Sequence, residues 1–198
     1  MSQQNEDLID QNLIQHWKSM KKRPKIIVFD LDYTLWPYYV DCHATPPIKR
    51  TSQTTTFGTI KVIDSTGLKM NGFKDVNKIL YTLKYHCLNE SKNEYLAIAS
   101  RSTTPDLAME TIEALGWTKY FSSFQIYPKT KTNHMRKILE ELKMTSYEDI
   151  LFFDDEIQNI KQTSSLKLTA IEIDPSVGTD MKTLIHGLEV FETKNKKH

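Results

Sequence analysis

Short apolar runs alternate with helically spaced apolar residues along most of the chain. The apolar runs predict strands at positions 26–29, 94–100, 124–127, 150–154 and from 168 onward. Between them, apolar residues recur at steps of three and four, which predicts helices over 76–87, between Pro105 and Gly116, over 133–143 and from about 156. Strands that alternate with helices predict an α/β fold with a central parallel sheet and helices on both faces.

The segment from about residue 35 to residue 70 lacks this regular alternation. It holds a Ser/Thr-rich piece, TSQTTTFG, and the stretch TIKVIDSTGLKM, in which apolar and polar residues alternate around a Ser-Thr-Gly turn. This pattern predicts a small β-hairpin flap after the first strand. The segment is too short to form a second domain.

An amphipathic pattern also occurs near the N-terminus. Ile9, Leu13, Trp17 and Met20 recur at steps of four, four and three, which predicts one face of a short helix. Either packing on the chain's own domain or docking of a partner would bury that face. We therefore expect an N-terminal extension over 1–23, a single domain over 24–190 and a basic tail over 191–198.

Composition narrows the class of protein. The 198 residues are 39% apolar and 26% charged with a formal charge of +1, so nothing global indicates binding to nucleic acid or to a membrane. Cys42 and Cys87 provide no disulfide framework, and their pairing with His43 and His86 lacks zinc-site spacing. The N-terminus has no long apolar run, so we expect no signal peptide or membrane span, a cytoplasmic location and a monomer.

Polar side chains follow four of the predicted strands at the point where each strand ends. They are Asp30 and Asp32, Ser100 and Arg101, Lys129 and Lys131, and Asp154 and Asp155. In an open α/β sheet, ligands bind at the carboxyl ends of the strands, where the strand order reverses. If the fourth strand pairs with the first on the side opposite the second, Asp30 and Asp154 become neighbours. The acidic pairs then belong to one site.

The charges of that site predict a metal ion. Asp30, Asp154 and Asp155 supply three negative charges and a phosphate monoester nearly two more, against Lys131 and Arg101. A hard divalent cation would offset two of these charges. Carboxylate and carbonyl oxygens together with substrate phosphate suit Mg²⁺, so the sequence predicts a magnesium site.

The same residues are suited to phosphoryl transfer. An ionised Asp30 can act as a nucleophile and form an aspartyl-phosphate, while Asp32, two residues on, can act as general acid. Ser100 and a lysine are donors suited to phosphoryl oxygens. These residues could also have purely structural roles, since Asp154 or Asp155 could cap a helix and Lys131 could be a solvated surface lysine. Their chain order after separate strands favours the functional reading.

Four stretches of the sequence resemble the motifs of one known family. FDLDYTLWP resembles the first motif of the haloacid-dehalogenase (HAD) superfamily, and its continuation is similar to that of the eukaryotic magnesium-dependent phosphatases. AIASRS resembles the second motif, IYPKTKTNHMRKI the lysine motif and ILFFDDEIQNI the acidic fourth motif. The resemblance spans roughly residues 24–174. It implies a Rossmann-like three-layer sandwich without a large cap domain.

The resemblance also implies a role for each matching residue. Asp30 would be the nucleophile and Asp32 the acid/base, with Mg²⁺ held by Asp30, Asp154 and the backbone carbonyl of Asp32. Asp155 would support the metal through water and Thr34 would orient the first loop. The phosphoryl group would be bound by Ser100 and Lys131, with Arg101 near the substrate. Lys129 stands where relatives tend to have Gly, so it competes with Lys131 for the lysine role.

The resemblance predicts a magnesium-dependent phosphomonoesterase acting on a phosphorylated substrate. The family points to phosphotyrosine in a protein or peptide, with phosphorylated sugars as a second candidate. Trp36, Tyr38 and Tyr39 would favour an aryl phosphate by stacking, unless they are core residues. A receiver-like phosphoacceptor module and a non-catalytic phosphate-binding protein are the alternatives. Receivers carry their phosphoacceptor Asp on the third strand. The third predicted strand of this chain, FQIY, ends without an acid, which disfavours a receiver.

Overall fold

A computed structural model describes residues 8–52 and 61–195 of the chain. Its core is a five-stranded sheet in the order β5-β4-β1-β6-β7, with every neighbouring pair parallel. The strands are β1 (Ile26–Phe29), β4 (Tyr95–Ser100), β5 (Ser123–Ile126), β6 (Ile150–Asp154) and β7 (Thr169–Glu172). The predicted α/β fold and the pairing of the fourth predicted strand with the first are confirmed.

Helices cover both faces of this sheet. They are α1 (Gln11–Ser19), α2 (Val40–His43), α3 (Val76–Thr82), α4 (Pro105–Leu115), α5 (Lys131–Leu142), α6 (Ile157–Thr163) and α7 (Met181–Asn195). Successive strand residues face opposite sides, so Ile26 and Val28 pack in the cluster beside α5, whereas Ile27 and Phe29 pack in a larger cluster on the other face. This two-sided burial explains why the strands read as continuous apolar runs.

The N-terminal helix packs on the core of the domain. Asp10 caps α1 by accepting a hydrogen bond from the backbone N–H of Leu13. Leu13, Trp17 and Met20 from the predicted apolar face are buried in the larger cluster. The contacts of α1 therefore agree with packing on its own domain.

The C-terminal helix α7 was not predicted from the sequence. Its Leu184, Leu188 and Phe191 are buried against the sheet at steps of four and three. The helix continues to Asn195, so the basic tail expected from residue 191 shares its first five residues with α7.

A small flap follows β1, as predicted. Strand β2 (Lys49–Ser52) pairs antiparallel with β3 (Lys61–Ile63), and a bridge between Ile63 and Lys69 spans the Ser-Thr-Gly turn. The Asp64 carboxylate accepts the backbone N–H of Leu68 at 2.8 Å and stabilises this turn. Most of the TSQTTTFG piece, residues 53–58, lies outside the described residues.

Two further observations concern the sequence predictions. Cys42 is exposed and Cys87 is buried, and both are free thiols. Within residues 8–52 and 61–195, no helix combines the length and apolar character needed to cross a bilayer.

Candidate active site

The polar residues predicted at the strand ends converge at one edge of the sheet. Asp30 follows β1, and its backbone N–H donates to the carbonyl oxygen of Phe153 on β6 at 2.9 Å, directly before Asp154. An open pocket of about 300 Å³ lies at this edge. Its wall includes the predicted site residues Asp30, Asp32, Ser100, Arg101, Lys131 and Asp155.

A buried lysine connects the two acidic pairs. Lys131 begins α5, and its Nζ lies 2.5 Å from Asp30 Oδ1 and 2.9 Å from Asp154 Oδ2. It also donates to the carbonyl oxygen of Ala99 at 2.5 Å. Burial alone would lower the pKa of Lys131, but the two carboxylates raise it above its ordinary value. The structure therefore brings Lys131 into the site, whereas Lys129 is exposed.

Three carboxylates lie close enough to share one ion. Oxygen atoms of Asp30, Asp154 and Asp155 all lie within 4.8 Å of one another. Burial raises the pKa of Asp30 well above its ordinary value despite Lys131, and burial and Asp154 raise the pKa of Asp155 to about 7. Burial first, and then the neighbouring carboxylates, disfavour full ionisation of this cluster, and a divalent cation would favour the ionised form. Because all these donors are hard oxygens, the cluster fits magnesium.

Asn159 fixes the orientation of Asp154 and was missed by sequence reasoning. Its side-chain amide donates to both carboxylate oxygens of Asp154, at 2.9 and 3.1 Å. The backbone N–H of Glu156 donates to Asp154 Oδ1 at 2.8 Å. Glu156 occupies the N-cap position of α6. The alternative hypothesis, that Asp154 or Asp155 is the N-cap residue of this helix, is therefore wrong.

Asp32 faces a different set of donors. Its Oδ1 accepts the indole N–H of Trp36 at 2.6 Å and the backbone N–H of Val40 at 3.1 Å. The next residue, Tyr33, has a φ of 53° and turns the chain in this loop. Burial raises the pKa of Asp32 to about 6, although these hydrogen bonds oppose the shift. A carboxyl with this pKa can both give and take a proton near neutral pH.

The remaining predicted residues lie around the pocket or behind it. Ser100 is buried, and its Oγ accepts the backbone N–H of Ser102 at 3.2 Å. Arg101 is exposed, with Nη1 3.5 Å from Glu156 Oε2. Thr34 is buried behind the loop, where its backbone carbonyl accepts the N–H of Thr179 at 2.9 Å.

Of the three aromatic residues expected to stack on an aryl substrate, two are buried in the core and one lies at the pocket. Trp36 and Tyr38 are buried and stack on each other, with ring centroids 5.4 Å apart. Trp36 also stacks on Trp117, so these two predicted residues belong to the core. Tyr39 is 43% exposed and lines the pocket.

The sequence matches one family model and is similar to curated relatives. The model of the acid phosphatase family matches residues 22–194. Human magnesium-dependent phosphatase 1 is 34% identical over 172 residues, which cover 87% of this chain and 89% of the relative. An HAD-like hydrolase superfamily protein of Schizosaccharomyces pombe is 30% identical over 158 residues, covering 75% of this chain and 85% of that protein.

A solved structure shares the fold. It is the N-terminal part of a Bacteroides fragilis protein that contains a phosphatase domain, crystallised in complex with Mg. The TM-score is 0.55 at 17% sequence identity, and the match covers 88% of this chain and 42% of that chain.

Proposed function

Since the chain belongs to the acid phosphatase family and is a magnesium-dependent phosphatase of the HAD superfamily, we propose that it hydrolyses aryl phosphates, phosphotyrosine above all, through an aspartyl-phosphate. The observation that carries the proposal is the contact of one buried lysine with both Asp30 and Asp154 at the base of the pocket. In this proposal Asp30 is the nucleophile, Lys131 binds the phosphoryl group and Asp154 is a metal ligand, and their contact supports these roles. We also propose that residues 24–190 form the catalytic domain.

The first step transfers the phosphoryl group to Asp30. A carboxylate oxygen of Asp30 attacks phosphorus, and the bond from phosphorus to the leaving oxygen breaks. Asp32 donates its proton to that oxygen, so the alcohol leaves neutral. Ser100 and Lys131 donate to the phosphoryl oxygens during the transfer.

The second step regenerates the enzyme. Asp32, now ionised, takes a proton from a water molecule, whose oxygen attacks phosphorus and releases inorganic phosphate from Asp30. Asp30, Asp154 and the backbone carbonyl of Asp32 would hold magnesium, with Asp155 supporting it through water. When bound there, the cation offsets the charge of the carboxylates and the phosphoryl oxygens.

The aromatic ring of Tyr39 supports an aryl substrate. It is the exposed aromatic side chain among the described residues that line the pocket. Offset stacking of an aryl leaving group on such a ring contributes about 0.5–1.5 kcal/mol. A receiver-like module does not fit, because β5 is followed by Tyr127 and Pro128 rather than by an acid.

A hydrolysis panel tests this proposal. Phosphotyrosine peptide, phosphoserine peptide, a sugar phosphate and a nucleotide are each assayed with magnesium and with chelator, using wild type and Asp30→Asn. We expect the phosphotyrosine peptide to give the highest kcat/KM, and chelator or Asp30→Asn to abolish turnover. Faster turnover of the sugar phosphate would overturn the substrate class, and near wild-type activity of Asp30→Asn would overturn the mechanism.

A further inference from the structure

The mouth of the pocket carries two acidic side chains that the proposed chemistry does not use. Asp41 lies on α2, and Glu156 lies at the start of α6, and both line the pocket with Tyr39. Burial, and then the Asp155 and Glu156 carboxylates, raise the pKa of the Tyr39 phenol. The ring that would stack on an aryl substrate therefore lies in the field of Asp155 and Glu156, and Asp41 lines the same pocket.

Both acids accept side-chain hydrogen bonds, Asp41 from the loop before α4 and Glu156 from α6 itself. Asp41 Oδ2 accepts the hydroxyl of Thr103 at 3.0 Å. Glu156 Oε2 accepts the side-chain amide of Asn159 at 3.0 Å. Their negative charges are thus part of the pocket wall.

The cation at the mouth is already engaged. Arg101 Nη1 lies 3.5 Å from Glu156 Oε2 and 3.4 Å from Asn159 Oδ1. Lys131 is buried at the base, where Asp30 and Asp154 compensate its charge. Among the described residues, each basic side chain in the wall of this pocket therefore already contacts at least one carboxylate.

The charges of the pocket wall therefore favour substrates with positively charged groups beside the reacting phosphate. Among the described residues that line the pocket, acidic side chains exceed basic ones by three; the acids are Asp30, Asp32, Asp41, Asp155 and Glu156, and the bases are Arg101 and Lys131. Asp32 enters the first step protonated, a divalent cation offsets two of the remaining negative charges, and a phosphate monoester adds nearly two. The occupied site remains negative, which attracts cations and repels anions near the mouth.

We propose that Asp41 and Glu156 are specificity-determining residues that select phosphotyrosine peptides with Lys or Arg beside the phosphotyrosine over peptides with Asp or Glu there. The inference rests on the proposed function, because it takes an aryl phosphate as the substrate. The phosphotyrosine ring lies against Tyr39, and its flanking side chains meet the two acids.

Three phosphotyrosine peptides of equal length, flanked by Lys, by Gln or by Glu, test the inference. We expect kcat/KM to fall from the Lys to the Gln to the Glu peptide, with about a tenfold difference between the extremes at low salt. The difference should shrink in 0.5 M NaCl, because salt screens exposed charges over about 10 Å or less. Equal kcat/KM for the three peptides would overturn this inference alone, whereas failure to hydrolyse any of them would overturn the proposed function as well.

Charge-neutral variants assign the effect to the two residues. Asp41→Asn keeps an oxygen for Thr103, and Glu156→Gln also removes the partner of Arg101, so each should reduce the Lys-to-Glu ratio and the double variant should bring it near one. Glu189→Gln is the matched control, because Glu189 is exposed on α7 and does not line the pocket. A double variant that keeps the wild-type ratio, or a control that loses it, would overturn the assignment.

Discussion

At the scale of single residues, Lys131 decides the electrostatics of the site. Its ammonium group is buried with Asp30 and Asp154, and removing one member of such a group leaves uncompensated charge, which typically costs about 3–5 kcal/mol. The lysine thus makes it possible to keep these two carboxyl groups together and buried. Lys129, although close in sequence, has an exposed side chain and is not among the residues that line the pocket.

The two lysines give a direct comparison. We expect Lys131→Ala to reduce kcat by about 10²–10³, as for the loss of one donor to a developing charge. Lys129→Ala should retain activity within about twofold, since its side chain lies outside the pocket wall. Steady-state kinetics, with circular dichroism to show that both variants fold, measure this. A larger loss for Lys129→Ala would assign the phosphate-binding role to that residue instead.

Asp32 can be tested through the leaving group. Asp32→Asn keeps an oxygen for Trp36 and Val40 but has no proton to give. We expect a loss of about 10²–10⁴ in kcat/KM for phenyl phosphate and a much smaller one for p-nitrophenyl phosphate, whose leaving group needs no protonation. Equal losses for the two esters would contradict the role of Asp32 as general acid.

Most of the residues at the candidate site, but not all of them, could be predicted from the sequence. Side chains at strand ends were predictable because the carboxyl ends of parallel strands meet at one edge, as Asp30, Ser100 and Asp154 do. Asn159 was not, because its position next to the carboxylate of Asp154 follows from the path of α6 and not from the residue type. Whether Trp36 lines the pocket or is buried also depends on tertiary packing, since an aromatic residue next to a site in the sequence can equally belong to the core.

At the scale of elements, α1 was predicted from its apolar spacing, whereas α7, which also has apolar residues at helical steps, was not. The apolar face of α1 is uninterrupted, whereas α7 contains Gly187, which is unfavourable in a helix by about 1 kcal/mol relative to Ala. A Cβ atom at Gly187 would lie 2.6 Å from the Phe153 ring, so the glycine permits close packing of α7 on β6. A residue that weakens the helical signal in the sequence is thus required by the packing.

The packing of α1 predicts a large stability effect. Trp17 is buried in the core cluster, so Trp17→Ala should lower the free energy of unfolding by about 3–5 kcal/mol. Gln15→Ala on the exposed side of the same helix should change it by less than about 0.5 kcal/mol. Urea denaturation measures both. A cost below 1 kcal/mol for Trp17→Ala would mean that α1 does not pack on the domain and is available to a partner.

At the scale of the whole molecule, the strand order creates the site. β1 lies between β4 and β6, so β4 and β5 extend the sheet on one side of β1 and β6 and β7 extend it on the other. At such a reversal of strand order, a crevice opens at the carboxyl end of the central strand. Asp30 and Asp154 become neighbours there although they are far apart in the sequence. The alternation of strands and helices predicts a parallel sheet but does not by itself give this strand order, and the charges at the mouth of the pocket depend on where α2 and the start of α6 lie.

The central claim is that the carboxylate of Asp30 carries the phosphoryl group during turnover. The most direct measurement mixes enzyme, magnesium and excess aryl phosphate, quenches with acid, reduces with borohydride and maps the product by mass spectrometry. Borohydride converts an acyl phosphate to an alcohol, so we expect homoserine at position 30 in the wild type and none with chelator. Reduction at a different residue, or none at position 30 under conditions that trap a known aspartyl-phosphate, would contradict it.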